Sequence, residues 1–138
     1  MALVTFQDLP STSTPVNASN LNNNFNECYK ADTGWQNITY EHTYSSYDAS
    51  VFNPLQYRKI GNQVFIRGMI KSTTTNPIGA NAIAGTLPST AKPAKGVYFI
   101  ANNVDSPISV NIDASGGIKV FNTSASWIAL DGINFFID

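Results

Sequence analysis

At 138 residues the chain has room for one domain and a short appendage, and 43% hydrophobic residues are enough for a small core. Charged residues make up 12% and the net charge is −1, which excludes a basic stripe for nucleic acid and a polybasic patch for a membrane surface. No apolar run approaches the roughly 20 residues that span a bilayer, the start Met1-Ala-Leu-Val-Thr-Phe6 lacks the basic opening of a signal peptide, and a single cysteine, Cys28, rules out an internal disulfide and reads as a small buried hydrophobe.

The chain opens with a breaker-rich stretch, Leu9-Pro-Ser-Thr-Ser-Thr-Pro15. Thr14 followed by Pro15 is a helix-start signal, because Thr accepts from a free backbone N–H and Pro fits the first helical turn. A helix is predicted over Val16–Lys30, where Ala18, Leu21, Phe25 and Cys28 recur at steps of three and four as one narrow apolar stripe. Its other positions are polar and rich in asparagine, a poor helix former, so the helix needs its stripe covered. Parallel copies of itself, a groove on a larger assembly, or the chain's own β domain would serve. The expected division is a helical anchor or stalk at 1–33 and a β domain at 34–138.

From Thr33 the pattern is β throughout. Strand-like stretches are Trp35–Tyr40, Leu55–Ile60, Gln63–Lys71, Ile83–Leu87, Val97–Ala101, Ile108–Ile112, Ile118–Phe121, Trp127–Leu130 and Ile133–Ile137. Gly61-Asn62, Asn76-Pro77, Ser115-Gly-Gly117 and Asp131-Gly132 punctuate them. Gly61-Asn62 and Asp131-Gly132 each read as a tight hairpin turn. Gln63–Lys71 reads as one half-buried strand with Val64, Ile66, Gly68 and Ile70 on one side. Short strands spaced by turns, without crossover helices, predict a mainly β fold: a small antiparallel β-sandwich, jelly-roll-like, preceded by the short N-terminal helix.

Catalytic chemistry finds little support. The sole histidine, His42, sits in Tyr40-Glu-His-Thr-Tyr44, there is no HExxH, and the nine acids are scattered where a glycosidase needs two held roughly 5–10 Å apart. The expectation is no enzyme, no cofactor and no metal; Asp113 and Asp131 lack the dense acid spacing of a calcium loop. Binding is the better reading. Tyr40–Asp48, read as a loop, carries Tyr40, His42, Tyr44, Tyr47 and Asp48, the aromatic and hydrogen-bonding mixture that suits a sugar, or strand-edge packing between protomers. Arg58 and Arg67 flank the Gly61-Asn62 turn and either pair with acids across subunits or meet an anionic glycopolymer; the intersubunit pair is the preferred reading. Trp35 and Trp127 lie within strand patterns and read as core or interface anchors. Thr73–Asn81 reads as a second outward loop.

Four segments carry a family resemblance: Asp32-Thr-Gly-Trp35, Gln56-Tyr-Arg-Lys-Ile-Gly-Asn-Gln-Val-Phe-Ile-Arg-Gly68, Gly85-Thr-Leu-Pro88 with Pro93 beyond it, and Trp127-Ile-Ala-Leu-Asp-Gly-Ile-Asn-Phe135. In this order they resemble the β-sandwich head domains of fibre and receptor-binding proteins from phages of Gram-positive bacteria, and Leu9–Phe25 is similar to the segment upstream of such heads. The resemblance implies a homotrimer with a helical stalk formed through Ala18, Leu21, Phe25 and Cys28. It further implies attachment to other virion proteins through the N-terminal segment and a host cell-wall saccharide as ligand. The expected location is the virion. An adhesion head, a purely structural fibre or capsid decoration, and a glycan-cleaving enzyme are the three functional readings, in that order.

Overall fold

A computed structural model describes residues 19, 21–23, 25, 31–72, 83–104, 106–121 and 127–138. Among them are eleven strands: β1 (Gln36–Asn37), β2 (Tyr44–Ser46), β3 (Gln56–Ile60), β4 (Gln63–Arg67), β5 (Met69–Ser72), β6 (Ile83–Thr86), β7 (Val97–Asn103), β8 (Pro107–Ile112), β9 (Gly117–Phe121), β10 (Trp127–Ala129) and β11 (Ile133–Phe136). They form two antiparallel sheets, one of four strands in the order β1-β3-β4-β11 and one of seven in the order β2-β5-β10-β7-β8-β9-β6. The mainly β expectation holds.

Strand alternation builds the core. On the seven-stranded sheet Ile70, Ile108, Val110, Ile112, Ile118, Val120 and Ile128 turn inward, and Val64, Ile66, Ile133 and Phe135 do so on the four-stranded sheet; all are buried in one cluster. The rings of Phe99 on β7 and Phe135 on β11 meet across the two sheets at 6.3 Å between centroids. β-branched side chains suit this pleated surface, and each one buried contributes about 1.5–3 kcal/mol.

The Gly61-Asn62 turn is a hairpin as predicted: β3 and β4 pair in register from Gln56↔Arg67 to Ile60↔Gln63, and Gly61 takes a φ of 59°. Two other expectations need correction. Gln63–Lys71 is not one strand. It breaks at Gly68, so that β4 pairs with β3 and β11 in one sheet while β5 pairs with β2 and β10 in the other. Asp131-Gly132 is likewise no hairpin, because β10 and β11 lie in different sheets. The β4–β5 and β10–β11 segments instead run together as a two-stranded ribbon that folds over at one corner. Gly68 N–H donates to Asp131 Oδ1 at 3.0 Å, and Leu130 N–H donates to Gly68 O at 2.9 Å. Pairing resumes from Ile66↔Ile133 to Met69↔Ala129, which leaves one extra residue on the Leu130–Gly132 side. A bulge of this kind lets a ribbon bend from sheet to sheet.

Tyr40–Asp48 is also more than a loop. Tyr40 makes an antiparallel bridge to Gly85, Glu41 N–H donates to Ala84 O at 3.0 Å, and Tyr44–Ser46 then pairs with β5. The segment therefore joins β6 to β2, the two edges of the seven-stranded sheet, and covers backbone groups that an open edge leaves bare. At the N-terminal side, Ser19, Leu21–Asn23 and Phe25 are helical, with Leu21 and Phe25 exposed. Ala18 and Cys28, the other two stripe positions, and the Thr73–Asn81 loop lie outside the described residues. Among the described residues no helix is long and apolar enough to cross a membrane.

Candidate functional site

The residues singled out in the sequence fall on different sheets. Arg58 and Arg67 stand on the outer face of the four-stranded sheet, where each has a partner within the chain. Arg58 grips Asp32 through two hydrogen bonds, Nε to Oδ1 at 2.9 Å and a terminal nitrogen to Oδ2 at 2.5 Å. This fork, helped by the Gly34 N–H, lowers the Asp32 carboxyl to about 2. The sequence reading preferred an acid across subunits for Arg58; within the chain Arg58 has Asp32 as its partner, and the pair ties Ala31–Gly34 to β3. Arg67 lies over the Trp35 ring, 4.0 Å from its centroid, and donates from Nε to Gln56 Oε1 at 2.9 Å. Trp35 is accordingly a half-buried stacking partner for a cation.

The tyrosine segment divides. Tyr44 is buried within the core, and burial pushes its phenol up to about 12. Tyr40 packs against the core and accepts a hydrogen bond from Leu55 N–H at 3.0 Å. His42 bridges them in a left-handed conformation, φ 54°, with Nδ1 donating to Ile83 O at 3.1 Å. Of the segment's three tyrosines only Tyr47 is exposed, its ring tilted against Phe52 at 6.0 Å, and His42 and Asp48 are exposed as well. Asp48 shapes the following turn: its Oδ1 accepts from Ser50 N–H at 3.0 Å and from the Ser50 hydroxyl at 2.6 Å, bonds that hold its carboxyl below the usual range. The two aspartates weighed as calcium ligands are occupied in the same way. Asp131 binds Gly68, while Asp113 takes Ser115, Gly117 and, at 2.9 Å, Lys119. Among the described residues no three His, Cys, Asp or Glu side chains gather as a metal would require.

Open grooves lie elsewhere. A groove of about 310 Å³ runs between β1 and β6 and is lined by Gln36, Asn37, Ile38, Thr39, Glu41, Tyr57, Thr86 and Pro88. It offers amide, hydroxyl and carboxylate groups beside one half-buried tyrosine. Internal bonds fix its rim: Thr86 Oγ1 donates to Glu41 Oε1 at 2.6 Å, and Gln56 Nε2 donates to Asn37 Oδ1 at 2.8 Å. This is the chemistry of a hydroxyl-rich ligand, with an apolar face for a ring and fixed hydrogen-bonders around it. A second groove, of about 460 Å³, is lined by Lys59, Ser89, Thr90, Lys92, Pro93, Ala94, Ala114 and Ile137. It shares Pro93 and Ala94 with a third, of about 360 Å³, which adds Lys95 and Asp138. None of these residues was singled out as a ligand contact in the sequence: Glu41 lies in the tyrosine segment, while Tyr57, Lys59, Thr86, Pro88 and Pro93 stand in the segments that carry the family resemblance. Asn37, Tyr57 and Thr86 come from separate strands and carry no local signal of convergence.

In fold, the chain is similar to the receptor binding protein (gp15) of Listeria phage PSA, with a TM-score of 0.61 over 90% of this chain and 82% of that one, at 15% sequence identity. No family model matches the chain, and no curated protein does.

Proposed function

We propose that this chain is a phage virion protein, the head of a trimeric fibre that adheres to saccharides of the host surface. The observation that carries the reading is the likeness in fold to a phage receptor binding protein along 90% of the chain. The resemblance of the sequence segments to phage fibre and receptor-binding heads points the same way. On this reading the two sheets around their common core form a jelly-roll-like sandwich head. Residues 1–33 are the stalk, joined to its copies through Ala18, Leu21, Phe25 and Cys28 and to other virion proteins beyond. The chain works without catalysis, metal or cofactor.

The groove between β1 and β6 is the surface best suited to the saccharide. Tyr57 offers a ring face, Asn37 an amide, and Glu41 a carboxylate already oriented by Thr86. Three such weak sites on one trimer gain avidity without any new contact. Fluorescently labelled protein on walls from a panel of Gram-positive bacteria tests the reading. Labelling is expected on at least one wall, lost when its glycopolymers are stripped and reduced roughly tenfold or more by Glu41→Ala or Asn37→Ala. Failure to label any wall, with a well-folded protein, would favour the second reading, a structural fibre or capsid decoration without a specific ligand. Saccharide cleavage abolished by replacing one acid would instead make it an enzyme.

A further inference from the structure

Positive charge is not spread evenly over the molecule. Seven of the eight lysines and arginines lie among the described residues. Arg58 and Lys119 each hold an aspartate, Arg67 lies over Trp35, and Lys71 stands in the field of Asp48. Lys59, Lys92 and Lys95 have no such partner among the described residues, and all three line the two grooves that meet at Pro93 and Ala94. The β1–β6 groove is the opposite case, with Glu41 and no cation on its walls.

Lys59 is also out of place by strand alternation. It pairs with Val64, as Tyr57 does with Ile66, so Lys59 stands on the core-facing side of β3. Val64 and Ile66 are buried there, and an apolar residue is expected beside them. Instead a half-buried lysine runs past the open end of the core to the groove. The facing wall is firm. Leu87 N–H donates to Gly116 O and Ala91 N–H to Pro88 O, both at 2.9 Å, and Pro93 is fully buried. Ser89 and Thr90 add hydroxyls beside Lys92. Asp138, in the smaller groove with Lys95, is the one acid among the lining residues. Asp113, next to Ala114, is already taken up by Ser115, Gly117 and Lys119.

We infer that the joined grooves bind phosphate groups carried in series on a hydroxyl-rich chain. The donors favour phosphate over carboxylate. Lysine ammonium groups act as point charges and suit a tetrahedral anion met from several sides. A planar carboxylate is best gripped by an arginine fork, and no arginine lines either groove. A chain is favoured over a single ion because the cations stand along two connected grooves, of about 460 and 360 Å³, and not around one closed pocket. Single-stranded nucleic acid would need a series of rings for its bases, and Phe136 is the one aromatic side chain on these walls. In taking the chain to be a saccharide or polyol of the host surface, the inference rests on the adhesion reading; the site itself is separate from the β1–β6 groove.

Isothermal titration calorimetry of the full chain with poly(glycerol phosphate) tests the site, with polygalacturonate, a single-stranded oligothymidylate and inorganic phosphate for comparison. Poly(glycerol phosphate) is expected to bind, its affinity falling about tenfold between roughly 50 and 200 mM salt, as for a few lysines on a phosphate chain. Lys59→Gln with Lys92→Gln should weaken binding roughly tenfold or more, while Lys71→Gln on β5 should leave it within about twofold. Lys92→Gln with Lys95→Gln, both exposed, reads the same site should replacement of half-buried Lys59 lower stability. No binding, binding that survives both lysine pairs, or equal binding of polygalacturonate or the oligothymidylate overturns the inference. So does inorganic phosphate that competes as well as the polymer at equal phosphate concentration, since a single-ion site would then suffice. Wall labelling separates the two readings. Walls still labelled by a protein that ignores poly(glycerol phosphate) leave adhesion standing without this site. Poly(glycerol phosphate) bound by a protein that labels no wall keeps the site and removes the adhesion reading.

Discussion

Two turns look alike in the sequence and do opposite things in the fold. Ile60-Gly61-Asn62-Gln63 and Leu130-Asp131-Gly132-Ile133 each set a glycine and a small polar residue between apolar strands. The first closes a hairpin inside one sheet; the second carries the chain from one sheet into the other. The difference lies outside the turns. Gly61 N–H is held by Ala31 O at 2.9 Å, and Thr33 N–H by Lys59 O at 3.0 Å, so a flanking segment steadies a turn that already pairs with itself. Asp131 reaches instead for Gly68, a residue more than sixty positions away, and the corner exists only when both ribbon strands bend together. Local grammar specifies that the chain reverses; a distant partner decides whether it pairs with itself.

The sharpest way to break this comparison is at Gly68. A Cβ there would lie 2.6 Å from Pro54 O and 2.8 Å from Leu55 Cα, both backbone atoms, at a φ of +137° that L residues rarely adopt. Gly68→Ala is expected to cost about 3–5 kcal/mol, read as a lower urea midpoint at unchanged slope. A loss under about 1 kcal/mol would show that the corner relaxes and that glycine is not its requirement. Asp131→Ala comes next. It leaves the buried Gly68 N–H without its acceptor, and the expected loss is about 1–3 kcal/mol, with faster amide exchange confined to the corner. Equal losses from Asp131→Ala and Asp131→Asn would argue against an acceptor role, because the amide oxygen can still accept.

Much of the fold was legible for a physical reason. Period-two alternation is a local property, and Val64/Ile66, Ile108/Val110/Ile112 and Ile118/Val120 announced their strands and their buried sides without help. What stayed hidden was non-local. Gly68 kept the alternation going across the break, so β4 and β5 read as one strand although they serve two sheets. Tyr44–Ser46 was read as loop because its polar run lacks the apolar alternation of a strand; its ladder comes from pairing with β5. The candidate site was less legible still. The groove at Tyr57, Asn37 and Thr86 assembles from three strands, whereas tyrosine-rich composition pointed to a segment that mostly ties down sheet edges. Arg58 showed the same limit: an exposed arginine in sequence cannot announce an aspartate 26 residues earlier that completes its fork.

The hairpin side of the comparison predicts smaller effects. Gly61 also has a positive φ, 59°, yet an added Cβ there would meet nothing within 4 Å. Gly61→Ala should therefore cost only the left-handed strain, about 1 kcal/mol, several times less than at Gly68. Asparagine at the same position should recover most of it, since its side chain tolerates this conformation.

The smallest effect concerns what braces that turn from outside. Asp32 titrates at about 2 instead of its ordinary 3.8 when folded beside Arg58. A carboxyl with a depressed folded pKa stabilises the native state above its unfolded value, and that contribution disappears as pH falls through the folded one. Melting temperature should accordingly drop as pH is lowered from about 4 towards about 2. In Asp32→Asn the drop should be shallower, with a slightly lower melting temperature at neutral pH, because the pair is solvent-exposed and screened. Some slope must remain, since Asp48 and Asp113 are depressed as well. High salt should shrink the difference between wild type and variant near neutral pH, where it screens the ion pair. A variant whose acid profile overlays that of the wild type would mean that the Ala31–Gly34 brace holds through its backbone bonds alone, and the hairpin would then be as locally determined as its sequence looks.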